Sequence, residues 1–251
     1  MPARLAPIAT AAAIAAASIG CDAFAPADRL IVPSTAPLRA AVPGLKPLKL
    51  GQSRDGLLYV PTSYVPTDPM PLVILLHGEG GSAANWFGSY AERAESAHVV
   101  LLAPDSRGET WDAIDGQFGE DVRFINRALE LVADEVRIDR DRMALAGFSD
   151  GAVYALSLGM ANGDLFRSVV AYSPGACVGA TSRGKARYFV SHGSADTALP
   201  GDATARSLVA IFRADDRDVE YVEFEGGHEV PPAISARAMR WLSAEWAAAA
   251  H

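Results

Sequence analysis

The run Gly147-Phe148-Ser149-Asp150-Gly151 sets a serine midway between two glycines, directly after the apolar stretch Met143-Ala144-Leu145-Ala146. A serine on a tight turn between a strand and a helix holds its hydroxyl above the sheet, beside the positive helix N-terminus. Glycines two residues either side remove the Cβ atoms that would keep strand and helix apart. This arrangement suits nucleophilic attack. The competing reading is a glycine-rich turn whose serine only caps a helix, and the preceding strand argues against it.

A serine hydroxyl attacks near neutral pH only when a base takes its proton and an acid orients that base. Of the five histidines, His251 is terminal, His98 opens a strand, and His77 and His192 each end a strand in a His-Gly pair that shapes a loop. His228 is left, in Glu225-Gly226-Gly227-His228-Glu229, on a loop after the last predicted strand. Asp196, in Ser191-His192-Gly193-Ser194-Ala195-Asp196, is the candidate acid. Asp202 and Asp150 are its rivals; Asp202 falls at a helix start, where a carboxylate complements the dipole and needs no further role. Separations of 47 residues from Ser149 to Asp196 and 32 from Asp196 to His228 leave room for a β-α unit in each interval. All three side chains would then emerge at the carboxyl edge of one parallel sheet. The backbone N–H of Asp150 would face the oxyanion of a tetrahedral intermediate, with a second donor from the loop after an earlier strand.

The elements that must position these groups are legible as short apolar runs alternating with amphipathic stretches, the pattern of β-α-β units. Residues 57–60 pair with 45–50 through the 51–56 turn as an antiparallel edge hairpin, and buried strands follow at 72–76, 99–103, 143–146, 169–172, 188–190 and 219–224. Phe118, Val122, Ile125, Leu129, Val132 and Val136 recur at steps of four and three, which predicts a helix over 118–136 with one face on the sheet. Further helices are predicted at 83–97, 152–161, 201–213 and 231–247. The longest connections, 105–119 and 173–185, are too short for a large cap domain. The expected fold is α/β, a mostly parallel twisted sheet with helices on both faces.

Composition narrows the function. Twenty-two basic residues against 30 acidic give a net charge of −8, so a nucleic-acid backbone would be repelled. Half of the 251 residues are apolar, which suits a packed domain and excludes disorder. Cys21 and Cys177 are the only cysteines; with no paired-His helix motif, neither a zinc site nor any cofactor is expected. Residues 1–20 carry one charge at Arg4 and then an Ala/Ile-rich run, the pattern of an export signal. Ser18-Ile19-Gly20-Cys21 resembles the lipobox of bacterial lipoproteins, with serine where leucine is usual, so Cys21 is a candidate lipid anchor. Residues 21–49, with prolines at 26, 33, 37, 43 and 47, are predicted as a tether, and 50–251 as the catalytic domain. Such a chain would be periplasmic or extracellular, released or anchored through Cys21.

Taken together, His77 to Gly81, Gly147 to Gly151, His192-Gly193 with Asp196, and Gly227-His228 resemble the α/β-hydrolase superfamily over residues 57–246. Within it, the chain is most similar to the phospholipase/carboxylesterase group and to the polyhydroxybutyrate-depolymerase-like and feruloyl-type esterases. The resemblance implies Ser149 as nucleophile, His228 as general base and acid, Asp196 as its orienter, and the N–H groups of Glu79 and Asp150 as the oxyanion hole. Two residues depart from the pattern: Glu79 stands where an apolar residue is usual, and Asp150 where asparagine is frequent. Glu79 is expected to face solvent, since an inward carboxylate would oppose the oxyanion.

Trp111 and Trp86 are candidates for an acyl or aromatic pocket. The reaction implied is hydrolysis of small-molecule or polymeric carboxylic esters through an acyl-enzyme. A serine peptidase on the same scaffold and a catalytically silent envelope binding protein are the alternatives; the peptidase lacks the chain length for a domain that selects peptides.

Overall fold

A computed structural model describes residues 26–34, 36–51, 53–201 and 204–249. Eight strands form one sheet: β1 (Gly44–Pro47), β2 (Gly56–Val60), β3 (Met70–Leu76), β4 (Val100–Pro104), β5 (Ile138–Phe148), β6 (Ser168–Tyr172), β7 (Arg187–Gly193) and β8 (Val219–Phe224). Their order across the sheet is β1-β2-β4-β3-β5-β6-β7-β8. β1 and β2 form the expected antiparallel edge hairpin, with Leu45 opposite Tyr59, and β3 to β8 run parallel. The central strands β3, β4 and β6 are buried along their whole length, which is why they read as unbroken apolar runs.

The helices are α1 (Phe87–Ala97), α2 (Asp112–Asp115), α3 (Glu120–Glu135), α4 (Asp150–Ala161), α5 (Ala205–Ala214) and α6 (Pro232–Ala249). Residues of α3, α4 and α5 join the core on one face of the sheet, and residues of α1 and α6 the core on the other. In α3 the predicted stripe is the buried one, through Val122, Ile125, Leu129 and Val132, with Glu120 and Asp121 in the positive first turn. α4 is buried from Gly151 to Ala161, so it is apolar on every side. Two features differ from expectation. The 105–119 connection contains α2, and β5 begins at Ile138, five residues before the apolar run at Met143; its first half, Asp139 to Arg142, is charged and only partly buried, so it shows no apolar run.

From Pro26 onward, the proline-rich segment predicted as a tether is packed against the domain. Leu30 and Val32 are buried, and the Leu30 N–H donates to Asn162 Oδ1 at 2.9 Å. Arg29 pairs with Asp164, and Asp28 with Arg183. Proline forbids a helix here but leaves an extended chain free to bury alternate side chains. Residues 1–20 and Cys21 lie outside the described residues, as does Asp202.

Candidate active site

Three strand ends and their loops build the site. β5 delivers Ser149, which has φ 55° and ψ −120°, a left-handed conformation that an L-residue holds only under constraint from its neighbours. Those constraints are visible. A Cβ on Gly147 would lie 2.0 Å from the Gly151 carbonyl oxygen, and one on Gly151 would lie 2.1 Å from the Leu76 carbonyl oxygen. Both glycines are therefore required by close backbone approach. The Ser149 N–H donates to the Tyr172 carbonyl at 3.0 Å, tying the turn to β6, and its own carbonyl accepts the Ala152 and Val153 N–H groups that begin α4.

Asp196 and His228 follow β7 and β8, and their loops are joined. Ser194 N–H donates to Phe224 O at 2.8 Å and Ala195 N–H to Gly226 O at 2.9 Å. His228 Nδ1–H donates to Asp196 Oδ2 at 2.7 Å, and Ser149 Oγ–H donates to His228 Nε2 at 2.9 Å. The structure thus brings Ser149, His228 and Asp196 into one continuous relay. The Asp196 side chain is fully buried, with Oδ1 accepting the N–H groups of Ala198 (3.0 Å) and Leu199 (2.8 Å). Burial pushes its carboxyl up, but the Leu199 N–H and the His228 ring outweigh it and hold the group below its usual range. An ionised Asp196 can only accept, which fixes the His228 tautomer with Nε2 open towards the serine.

His77 and His192 organise loops, as expected, whereas His98, expected to open a strand, instead caps α1 at φ 56°, two residues before β4 begins. His192 Nε2–H donates to Leu199 O at 2.6 Å and lies 3.4 Å from Asp196 Oδ2, bracing the acid loop. His77 Nδ1–H donates to Gly78 O at 2.7 Å, and its Nε2 accepts the Ser106 N–H at 3.0 Å. Burial lowers the His77 pKa, which agrees with a neutral, hydrogen-bonded ring. A Cβ on Gly78 would lie 3.2 Å from Ser149 Cβ, so the 77–81 loop runs alongside the serine. Glu79 in that loop is exposed, the orientation expected of it from the sequence. The Asp150 carboxylate, considered as a rival to Asp196, instead accepts from Thr110 Oγ1 at 2.6 Å.

A cleft of about 330 Å³ opens beside this relay, lined by His77, Gly78, Glu79, Trp86, Tyr90, Phe148 and Val230 among others. Phe148 also packs on the His228 ring, at 4.7 Å between centroids. Trp86 is thus in the cleft wall. Trp111 is not, and its expected pocket role is corrected. It is fully buried, stacks on Tyr154 at 5.0 Å and donates from Nε1 to His77 O at 2.8 Å. The indole N–H finds its partner inward, which turns the ring away from solvent. Sequence reasoning missed Thr110 and Arg54, whose guanidinium bridges Ser106 O and Gly81 O, both at 2.7 Å. Neither lies in a motif, and no spacing in the chain signals their contacts.

The sequence model of the Esterase family matches residues 48–188, more than half of the chain. The chain belongs to the Esterase family. As an esterase, it is a carboxylic-ester hydrolase, and the α/β-hydrolase fold expected from its motifs is the one observed. This esterase is 27% identical over 214 residues to the "Probable feruloyl esterase C" of Aspergillus oryzae, covering 71% of this chain and 77% of that one. Its fold is shared with Staphylococcus aureus fluorophosphonate-binding serine hydrolase F (TM-score 0.64, 14% identity, 80% of this chain and 99% of that one). It is shared as well with the ferulic acid esterase of Anaeromyces mucronatus solved in complex with ferulic acid (TM-score 0.60, 17% identity, 86% and 97%).

Proposed function

We propose that this esterase cleaves its substrates through an acyl-enzyme on Ser149, with His228 as general base and then general acid, and Asp196 as the residue that orients it. The observation that carries the reading is the relay itself, 2.9 Å from Ser149 Oγ to His228 Nε2 and 2.7 Å from His228 Nδ1 to Asp196 Oδ2, with Ser149 at φ 55°. His228 removes the hydroxyl proton as Ser149 Oγ adds to the ester carbonyl, and Asp196 stabilises the imidazolium that forms. His228 then returns that proton to the departing alcohol. Water, activated by the same ring, hydrolyses the acyl-serine and restores the enzyme.

The N–H groups of Glu79 and Asp150 receive the negative oxygen of each tetrahedral intermediate. The position of the 77–81 loop against Ser149 supports Glu79, and the start of α4 at Asp150 supports the second donor.

The substrates are small-molecule or polymeric carboxylic esters with an acyl group that fits the aromatic cleft of Trp86, Tyr90 and Phe148. The feruloyl esterases among its relatives support an aromatic acyl group. A panel of p-nitrophenyl esters of increasing chain length, with methyl hydroxycinnamates alongside, tests this. Turnover of short and aromatic esters, abolished in Ser149→Ala, is expected; turnover that survives Ser149→Ala contradicts the mechanism.

Residues 1–20 serve as an export signal, and the mature protein is either anchored through a lipidated Cys21 or released; the uncharged Ala/Ile-rich run ending at Gly20-Cys21 supports export. Mass measurement of the exported chain tests it: an acylated N-terminal Cys21 marks the anchored form and an unmodified cleaved N-terminus the released one, and a chain retaining residues 1–20 contradicts export.

A further inference from the structure

The turn between β4 and α2 touches both walls of the proposed oxyanion hole through three consecutive residues. The Glu109 carbonyl accepts the N–H of Gly80, the neighbour of Glu79, at 2.9 Å. Thr110 Oγ1–H donates to Asp150 Oδ2 at 2.6 Å. Trp111 Nε1–H donates to His77 O at 2.8 Å, and this is the same carbonyl oxygen that a Cβ on Gly151 would meet at 2.4 Å. The two donor peptides come from different strands, one after β3 and the other after β5, yet the residues flanking them hang from Glu109 and Thr110.

We propose that Thr110 is a positioning residue for ester hydrolysis, pinning the Asp150 side chain so that the Ser149–Asp150 peptide N–H and the Glu79 loop are held in register by one turn. The proposal rests on the reading above of an acyl-enzyme on Ser149 with its oxyanion hole. A hydroxyl donating to a carboxylate is a charge-assisted bond and among the stronger ones a side chain can make. It fixes the Asp150 side chain one bond from the backbone whose N–H must point at the developing oxyanion. It also fixes where an ionised carboxylate sits next to the nucleophile; released, that carboxylate could swing towards the oxyanion and oppose it. Thr110 meets no reacting atom itself. Oxyanion stabilisation is realised in the transition state and not in the bound ester, so loosening this contact lowers kcat and spares KM.

The test is a double-mutant cycle read by steady-state hydrolysis of p-nitrophenyl acetate. Thr110→Val keeps the side-chain shape and deletes the hydroxyl, Thr110→Ser keeps the hydroxyl, and Asp150→Ala deletes the acceptor. Thr110→Val is expected to lower kcat about tenfold with KM within about twofold, and Thr110→Ser to restore kcat to within about threefold of the parent. In the Asp150→Ala background, Thr110→Val is expected to change kcat by less than about twofold. Parental kcat in Thr110→Val, an equal loss in both backgrounds, or a loss confined to KM overturns the proposal. If Thr110→Val does not fold, Thr110→Ala is read through the same cycle with the same outcomes. Ser149→Ala separates the two levels: inactive Ser149→Ala beside fully active Thr110→Val overturns the positioning role alone, and active Ser149→Ala overturns the reading beneath it.

Discussion

Gly193 and Gly227 pack so closely that a Cβ built on Gly193 would lie 2.2 Å from the Gly227 carbonyl oxygen. This approach joins the loop that carries Asp196 to the loop that carries His228, and it coexists with the Ala195 N–H to Gly226 O bond at 2.9 Å. Gly193→Ala must push the two loops apart. The expected cost is about 2 kcal/mol of stability, typical of overpacking, with a larger fall in kcat than in folded fraction. Urea unfolding and kcat measured on the same sample check this; unchanged kcat would show that the acid and base tolerate the displacement.

Asp196 holds the His228 tautomer, so Asp196→Asn is expected to lower kcat by about 10⁴-fold while KM changes little. Its carboxyl is held below the usual range in the folded chain, mainly by Leu199 N–H and His228 working against burial. The stability it contributes is therefore present above the unfolded carboxylate pKa and lost as pH falls through its own lower value. Relative to Asp196→Asn, the parent should lose its stability advantage in acid; a difference independent of pH contradicts the assigned ionisation.

Asp121 predicts the opposite slope. Burial pushes its carboxyl up to about 6, against the pull of the Asp112 and Arg107 N–H groups that it accepts at 2.7 and 2.6 Å. The folded chain then keeps this proton to higher pH than the unfolded chain. Its penalty is absent below the unfolded pKa near 3.8, grows between that value and about 6, and levels off above it, on the order of 3 kcal/mol. The stability of the parent relative to Asp121→Asn should fall between about pH 4 and about pH 7 in urea titrations. A flat difference across that window would place the proton elsewhere.

The two tryptophans should separate cleanly. Trp86→Ala enlarges the cleft and is expected to move the preferred acyl length upward by about two or more carbons, at the expense of kcat/KM for short esters. Trp111→Phe removes the Nε1–H bond to His77 O and is expected to cost about 1–2 kcal/mol of stability and some kcat, without changing the order of substrates. An ester chain-length series on both variants reads the contrast, and a shifted preference in Trp111→Phe would return that residue to the cleft.

Much of this was legible before any coordinates because buried parallel strands announce themselves as apolar runs, and β3, β4 and β6 do so without interruption. Ser149, Asp196 and His228 were legible as candidates because each follows a parallel strand with a glycine within three residues of it, and Gly147, Gly151, Gly193 and Gly226 all sit where backbone or side chain approaches closely. What escaped depended on the course of loops. Nothing in the composition around Trp111 says whether its indole finds a partner inside or outside, and the answer is the His77 carbonyl. The prolines between Pro26 and Pro47 exclude a continuous helix but do not say that Leu30 and Val32 are buried, because the groups that bond this segment, Asn162 at the Leu30 N–H and Arg140 at the Val32 carbonyl, lie more than a hundred residues away. Thr110 carries no motif, and its meeting with Asp150, 40 residues away, depends on how the connection after β4 lies against the 77–81 loop, where Glu109 O accepts the Gly80 N–H.

The central claim is that Ser149 is made nucleophilic by His228, and covalent labelling by a fluorophosphonate, followed by intact-mass measurement and peptide mapping, addresses it most directly. One adduct per chain, mapped to Ser149, is predicted for the parent, with none in Ser149→Ala and labelling slowed at least about a thousandfold in His228→Ala. An adduct on another residue, or undiminished labelling without His228, would contradict it.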